Sequence, residues 1–358
     1  MDPGRFDRMT RTWTQAGPRR PVLGLLASGA AGIVTLSDGT AKKRKKKKKV
    51  TLCLNGQTIK VPKKKRGSYA SQGATAGACG SGPCVGSCDG KACGANDGCG
   101  GTCGCPAGQV CAAGSCRTCT ITCNGTPTEC GASLQTELAR GGTVYACPGR
   151  YTGTYFLETN VTLIGAGQGN DPATSTILDG NAVRRVIISD VNVTSIIENV
   201  RVIRDPATTG GGISNAGTMT LRRSTVTGHR VTGTAGSGAG VRQSSEATGP
   251  LTLTDCTVAN NRHDANGGGI AQTHPTHALT LTNCVVTDNH AGLSGAGNGG
   301  GVFCLEGAVH LTGGSITGNH AVAGGGIWAN SRGNVALDSV TLRENEPTNC
   351  VGVAGCSS

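Results

Sequence analysis

Large aromatic side chains are scarce: two Trp, four Tyr and three Phe in 358 residues, or 3% of the chain. That excludes a core built on aromatic anchors and leaves small aliphatic side chains, stacked in layers, to do the burying. Histidine is missing before His229, so no Cys/His zinc finger can form in the N-terminal half. Gly-Gly-x-Gly-x-Asp repeats are also absent, which excludes a calcium-binding nonapeptide roll. The small, apolar run from Val22 to Val34 is about 13 residues, too short to cross a bilayer as a helix. Glycine, at 60 residues, and cysteine, at 19, are what the chain has in excess.

The formal net charge of +12 is a local feature. Residues 42–66 carry thirteen basic and no acidic side chains, and Lys91 is the only lysine beyond them. Like charges this dense cannot be buried, so 42–78 reads as a disordered basic arm. Within it, Val50 to Val61 alternates around Asn55-Gly56, a strong hairpin signal. The arm, through Lys42–Lys49 and Lys63–Arg66, suits an anionic cell wall or membrane surface, although a merely solvated linker would have the same composition. Nucleic acid is disfavoured because no aromatic residues interleave with the lysines. Upstream, Arg19-Arg20 precede the weakly apolar stretch and Gly39 and Ala41 follow it, so 1–41 resembles a twin-arginine export signal. Pro21 and the basic run directly after the apolar stretch depart from that pattern.

Twelve cysteines fall between Cys79 and Cys130, in gaps rich in Gly, Ser, Ala and Asp. Such a segment buries little apolar surface, so 79–130 is expected to be a small disulfide module in an oxidising compartment. The phrase Cys88-Asp-Gly-Lys-Ala-Cys93 resembles short Cys-rich modules of secreted bacterial proteins. Zinc is the rival, since Cys116-Arg-Thr-Cys119 has knuckle spacing.

Repeats dominate the rest. Pro250-Leu-Thr-Leu-Thr-Asp-Cys-Thr-Val-Ala-Asn-Asn261 is echoed by segments ending at His229, Asn289, Asn319 and Asn345. Between them recur Gly211-Gly-Ile213, Ala239-Gly-Val241, Gly268-Gly-Ile270, Gly300-Gly-Val302 and Gly325-Gly-Ile327, at intervals of 28, 29, 32 and 25 residues. Such periods signal a solenoid. Alternation such as Leu251/Leu253 and Leu279/Leu281 has period two, so the repeats are strands, stacked in parallel about 4.8 Å apart. Asn261, Asn289, Asn319 and Asn345 share one phase and should form a hydrogen-bonded ladder. These residues resemble the right-handed parallel β-helix of pectin-lyase-like proteins, in the Gly-Gly-Ile/xxAsn variant of polymorphic outer-membrane and adhesin-type proteins. Ser133–Gly141 reads as a short capping helix before it. The expected fold is therefore all-β: a right-handed parallel β-helix over 131–350, capped by that helix, with a tail at 351–358.

The resemblance implies enzymes that cleave acidic polysaccharides, and candidate groups are Asp190, Arg201, Asp205, Asp255, Asp288 and Arg262. Asp255 and Asp288 stand at turn phases that carry Asn or Gly elsewhere, so turn formation suffices for them. No family catalytic motif transfers, and no cofactor or metal site is expected. His290 and His320 share a phase with Arg262 and Glu346, which reads first as an exposed ladder and second as a metal site of stacked histidines. Phe303 and Trp328 each follow an inward residue, so they should face out on adjacent coils in phase with Arg242. The expected function is an exported cell-surface or secreted protein with a structural or binding role, glycan-binding or adhesin-like. The alternative is a polysaccharide lyase or hydrolase on the same scaffold.

Overall fold

The computed structural model describes residues 49–54, 57–65, 68–69, 75–76, 91–95, 103–181, 185–203, 211–233 and 236–356. The export signal with Arg19 and Arg20, the run Lys42–Lys48, cysteines 79–88 and Asp205 lie outside them. In the arm, Lys49–Leu54 and Gln57–Pro62 pair antiparallel with Leu54 opposite Gln57, the two-residue hairpin that Asn55-Gly56 announces. A third strand, Thr75–Ala76, joins the other edge. A single 3-10 turn, Lys63–Lys65, follows the hairpin with all three lysines exposed.

The cysteine-rich segment is held covalently. A tight hairpin, Gln109–Ala112 with Ser115–Thr118, turns through Ala113 and Gly114, both at positive φ. Cys93–Cys111 and Cys105–Cys116 bracket it. Cys119–Cys147 ties it to the first coil of the solenoid, and Cys123–Cys130 ties it to the helix that follows. The knuckle spacing of Cys116 and Cys119 therefore serves two different disulfides, not zinc. Disulfides on this scale place the protein in an oxidising environment.

The capping helix, α1, spans Pro127–Arg140, six residues longer at its start than the sequence reading allowed. Thr126 and Glu129 form a reciprocal capping box and Pro127 occupies the first turn, so the start is fixed by local chemistry. Gly141 ends it at φ 75°. Leu134 and Leu138 face the core and close the open end of the stack. Gly131 approaches the solenoid so closely that a Cβ there would lie 2.0 Å from the Thr152 carbonyl oxygen.

Three parallel sheets of eight strands each then build the solenoid. Sheet A begins at Gly142–Ala146 and ends at Gly333–Asp338; sheet B runs from Gly149–Thr152 to Thr341–Arg343; sheet C runs from Tyr155–Leu157 to Cys350–Val351. Every coil passes A, B, C in that order. The Gly-Gly-Ile register holds throughout sheet C, where Ile213, Val241, Ile270, Val302, Ile327 and Cys350 sit opposite one another in successive coils. Tyr155 and Ile187 extend that column by two coils that precede the Gly-Gly-Ile repeats. Inward residues such as Leu253, Leu281, Val258, Val286 and Val302 are fully enclosed, and their alternation with outward Thr is the period-two pattern made physical.

Corners are made by residues in the left-handed region. One column carries Asn199, Arg223, Asp255, Asn283, Gly313 and Ser339; a second carries Gly228, Asn260, Asp288, Gly318 and Glu344; φ lies between 43° and 78° at all of them. Asp255 and Asp288 thus occupy turn positions where Asn, Asp and Gly are tolerated. At the far end the tail is not free: Cys350–Cys356 folds it back, and Val353 and Cys356 pack against the last coil.

Candidate functional site

Between sheets B and C the chain turns inward at the asparagine ladder. Asn261 Nδ2 donates to Asn289 Oδ1 at 2.9 Å, Asn289 to Asn319 at 2.9 Å, and Asn319 to Asn345 at 3.0 Å. Each Oδ1 also accepts the backbone N–H of the preceding rung, and each Nδ2 also donates to a sheet B carbonyl. Every rung is buried and fully used, so these residues are architecture. His229 occupies the first rung and Asn349 accepts from the last. A second internal ladder, Asn215 to Gln243, was missed by sequence reasoning although its spacing of 28 residues matches the period. Gln272 continues the column one coil on, in register with Gln243.

The outward row of sheet C is the richest in binding chemistry. Phe156, Ile188, Ser214, Arg242, Ala271, Phe303, Trp328 and Val351 stand one above another. Phe303 and Trp328 stack with centroids 5.0 Å apart and planes 10° from parallel. Phe303 is only 3% exposed, however, because glycine loops at Gly267 and Gly299 close over its Cβ. Trp328 remains partly open and forms the accessible face of the pair. A shelf of two exposed rings is therefore reduced to one ring backed by another.

Beyond Ala271 in the same row lies Arg242, with Arg185 and His263 beside it. Arg242 is half-buried, with Nε enclosed and without a hydrogen-bond partner. Arg185 reaches across two coils, Nη1 donating to the Ile213 and Gly238 carbonyls at 3.3 and 3.2 Å. Burial, with Arg242 adding repulsion, pulls the Arg185 guanidinium down to about 10. His263 is enclosed beside them; its Nδ1 accepts the Ala265 N–H at 2.9 Å while Nε2 meets no partner. Burial first, then Arg185, pushes the His263 imidazole down to about 4. Among the described residues neither guanidinium pairs with a carboxylate; the ion pairs, such as Arg150–Asp179 and Arg223–Glu198, lie elsewhere. Arg242, half-buried and in the same row as the stacked aromatic pair, gives this face a chemistry suited to an anionic or polyhydroxylated ligand.

The other candidates do not converge. Asp190 follows the second strand of sheet C, where its Oδ1 accepts the Val191 N–H. Arg201 lies on sheet B, partly buried, its guanidinium lowered by burial. Asp255 and Asp288 form turns, as above. Arg262 belongs to a separate outward column with Arg230, His290, His320 and Glu346. A groove of about 910 Å³ runs between the disulfide segment and the solenoid flank, lined by Gln109, Glu198, Asn199 and Arg223. Its two charged residues, Glu198 and Arg223, pair with each other. The sulfurs of Cys93, Cys105 and Cys116 lie close together, but as members of two disulfides they offer no thiolate. Cys256 and Cys284 are buried free thiols on adjacent coils, and their mutual hydrogen bond, reinforced by burial, keeps Cys256 protonated.

No protein-family model, curated protein or solved structure matches the chain. The parallel β-solenoid consequently rests on the chain's own register, and the ligand on its own surface chemistry.

Proposed function

We propose that this is an exported binding protein whose solenoid presents the Arg242–Trp328 row of sheet C to an anionic glycan at the cell surface. The observation that carries this reading is the half-open Phe303–Trp328 stack in line with Arg242, whose Nε is enclosed without a partner. A ring that backs another ring offers a flat, rigid stacking face, and a guanidinium three rungs along the same row, in no ion pair among the described residues, favours carboxylate or sulfate substituents. The Lys-rich arm, Lys42–Lys49 with Lys63–Arg66, would hold the protein against an anionic wall or membrane surface. Export by the Arg19-Arg20 signal fits the disulfide content.

The test is tryptophan fluorescence titration and retention on immobilised acidic and neutral oligosaccharides. Binding to acidic oligosaccharides is expected, weakened at least tenfold by Trp328→Ala and by Arg242→Gln. Absence of saturable binding to any glycan would overturn the reading. The second reading, a polysaccharide lyase or hydrolase, rests on the fold alone. Chain cleavage of an acidic glycan, lost in Asp190→Asn or Arg201→Gln, would replace the binding role with it.

A further inference from the structure

On the flank between sheets B and C, the outward column Arg230, Arg262, His290, His320, Glu346 takes one residue from each of five coils. Its middle pair is unusual in geometry. His320 Nδ1 lies 3.1 Å from His290 Nε2, with ring centroids 4.4 Å apart and planes tilted by 47°. Two imidazole nitrogens bound to one zinc ion at about 2.05 Å sit about 3.3 Å apart in tetrahedral geometry, and about 2.9 Å apart at a right angle. As it stands the contact is a hydrogen bond with one proton between the rings; the separation falls between those values, so an ion can take that proton's place once the donor ring adopts its other tautomer. His320 is exposed and His290 half-buried, and the strands that carry them are fixed by the asparagine ladder directly inside. Glu346 stands one rung further on, exposed and outside every ion pair of the described residues; its carboxylate does not close a three-ligand cluster as it stands and has to turn toward His320 to join an ion there. Arg262, on the opposite side, is exposed and can turn its charge into solvent.

We infer that His290 and His320 chelate a single divalent transition-metal ion, zinc, nickel or copper(II), on the solenoid flank, with Glu346 as the third ligand. Imidazole nitrogen with one carboxylate suits these ions and not calcium or magnesium, which prefer oxygen. The site joins three successive coils, so an ion bound there stabilises the folded solenoid by mass action.

The full oxidised chain, without reductant, would be dialysed against zinc alone and in parallel against nickel alone, with melting followed at rising metal concentration. One equivalent bound and a Tm that rises with metal are expected. His290→Gln and His320→Gln should each weaken binding at least thirtyfold and abolish the Tm rise, and Glu346→Gln should weaken it about tenfold. The His274–His277 pair provides the control. Its rings also stack, at 4.5 Å, but His274 Nδ1 already accepts backbone N–H groups, so His274→Gln should leave binding unchanged. No saturable zinc or nickel binding, or binding retained in the His290→Gln/His320→Gln double variant, would overturn the site. Glycan binding by Trp328 is read separately and does not depend on this result.

Discussion

The segment from Cys93 to Cys130 and the solenoid that follows solve the same problem by opposite means. The first has little to bury and relies on disulfides: Cys93–Cys111, Cys105–Cys116, Cys119–Cys147 and Cys123–Cys130 hold a two-stranded hairpin and a few turns. The second keeps Cys256, Cys284 and Cys304 as buried free thiols and is held by stacked aliphatics and internal hydrogen-bond ladders. Chain entropy explains the division. Where no core is available, cross-links restrict the unfolded state; where each coil buries its neighbour's inner face, repetition supplies the cohesion.

Reduction should separate the two most sharply. With each bridge contributing about 2–4 kcal/mol, dithiothreitol is expected to expose residues 91–125 to hydrogen exchange while coils 3–8 stay protected. Loss of protection throughout would mean that the solenoid depends on the bridges. Next in size is the ladder. Asn289→Ala strands the Asn261 N–H groups and the Val258 carbonyl in a closed interior, and a loss of about 3 kcal/mol is expected in chemical denaturation. Gly131→Ala tests the joint between the regions. The new methyl would press on Thr152, and a loss of about 1–3 kcal/mol with fraying of α1 should be visible by circular dichroism.

A pH scan sharpens the picture inside the solenoid. His263 titrates at about 4 in the fold against an ordinary value near 6.5, so the unfolded chain takes up its proton first as pH falls. Stability should therefore decline between about pH 6.5 and 4, and His263→Gln should remove that part of the decline. Asp288→Gly is the mildest change. Relieving a left-handed corner at φ 55° should leave stability unchanged or raise it by up to about 1 kcal/mol, and glycan binding should be untouched.

The repeated coils were legible because a strand's period of two and a coil's period near 28 are written in the residues themselves. The ladder at Asn261, Asn289, Asn319 and Asn345 was legible for the same reason. The start of α1 was not, because Thr126-Pro127-Thr128-Glu129 sits among cysteines and was assigned to the disulfide segment, although it is a complete capping signal. The burial of Phe303 was hidden too. Alternation correctly turns its side chain away from the interior, but whether an outward ring is open depends on loops of variable length, and those carry no period. The group of Arg185, Arg242 and the neutral His263 is drawn from three coils, 57 and 21 residues apart, and no single repeat phase contains all three.

The asparagine ladder also bears on how such a chain can change its length over generations. Each rung asks of its neighbours only another asparagine at the same phase, and the bonds it makes to the next coil are those it would make to a copy of itself. Duplicating or deleting one unit of 25 to 32 residues between Asn261 and Asn345 therefore restores the ladder's hydrogen bonds at the splice. The length of the solenoid is adjustable in whole steps, while the helix at one end and the Cys350–Cys356 closure at the other stay as they are.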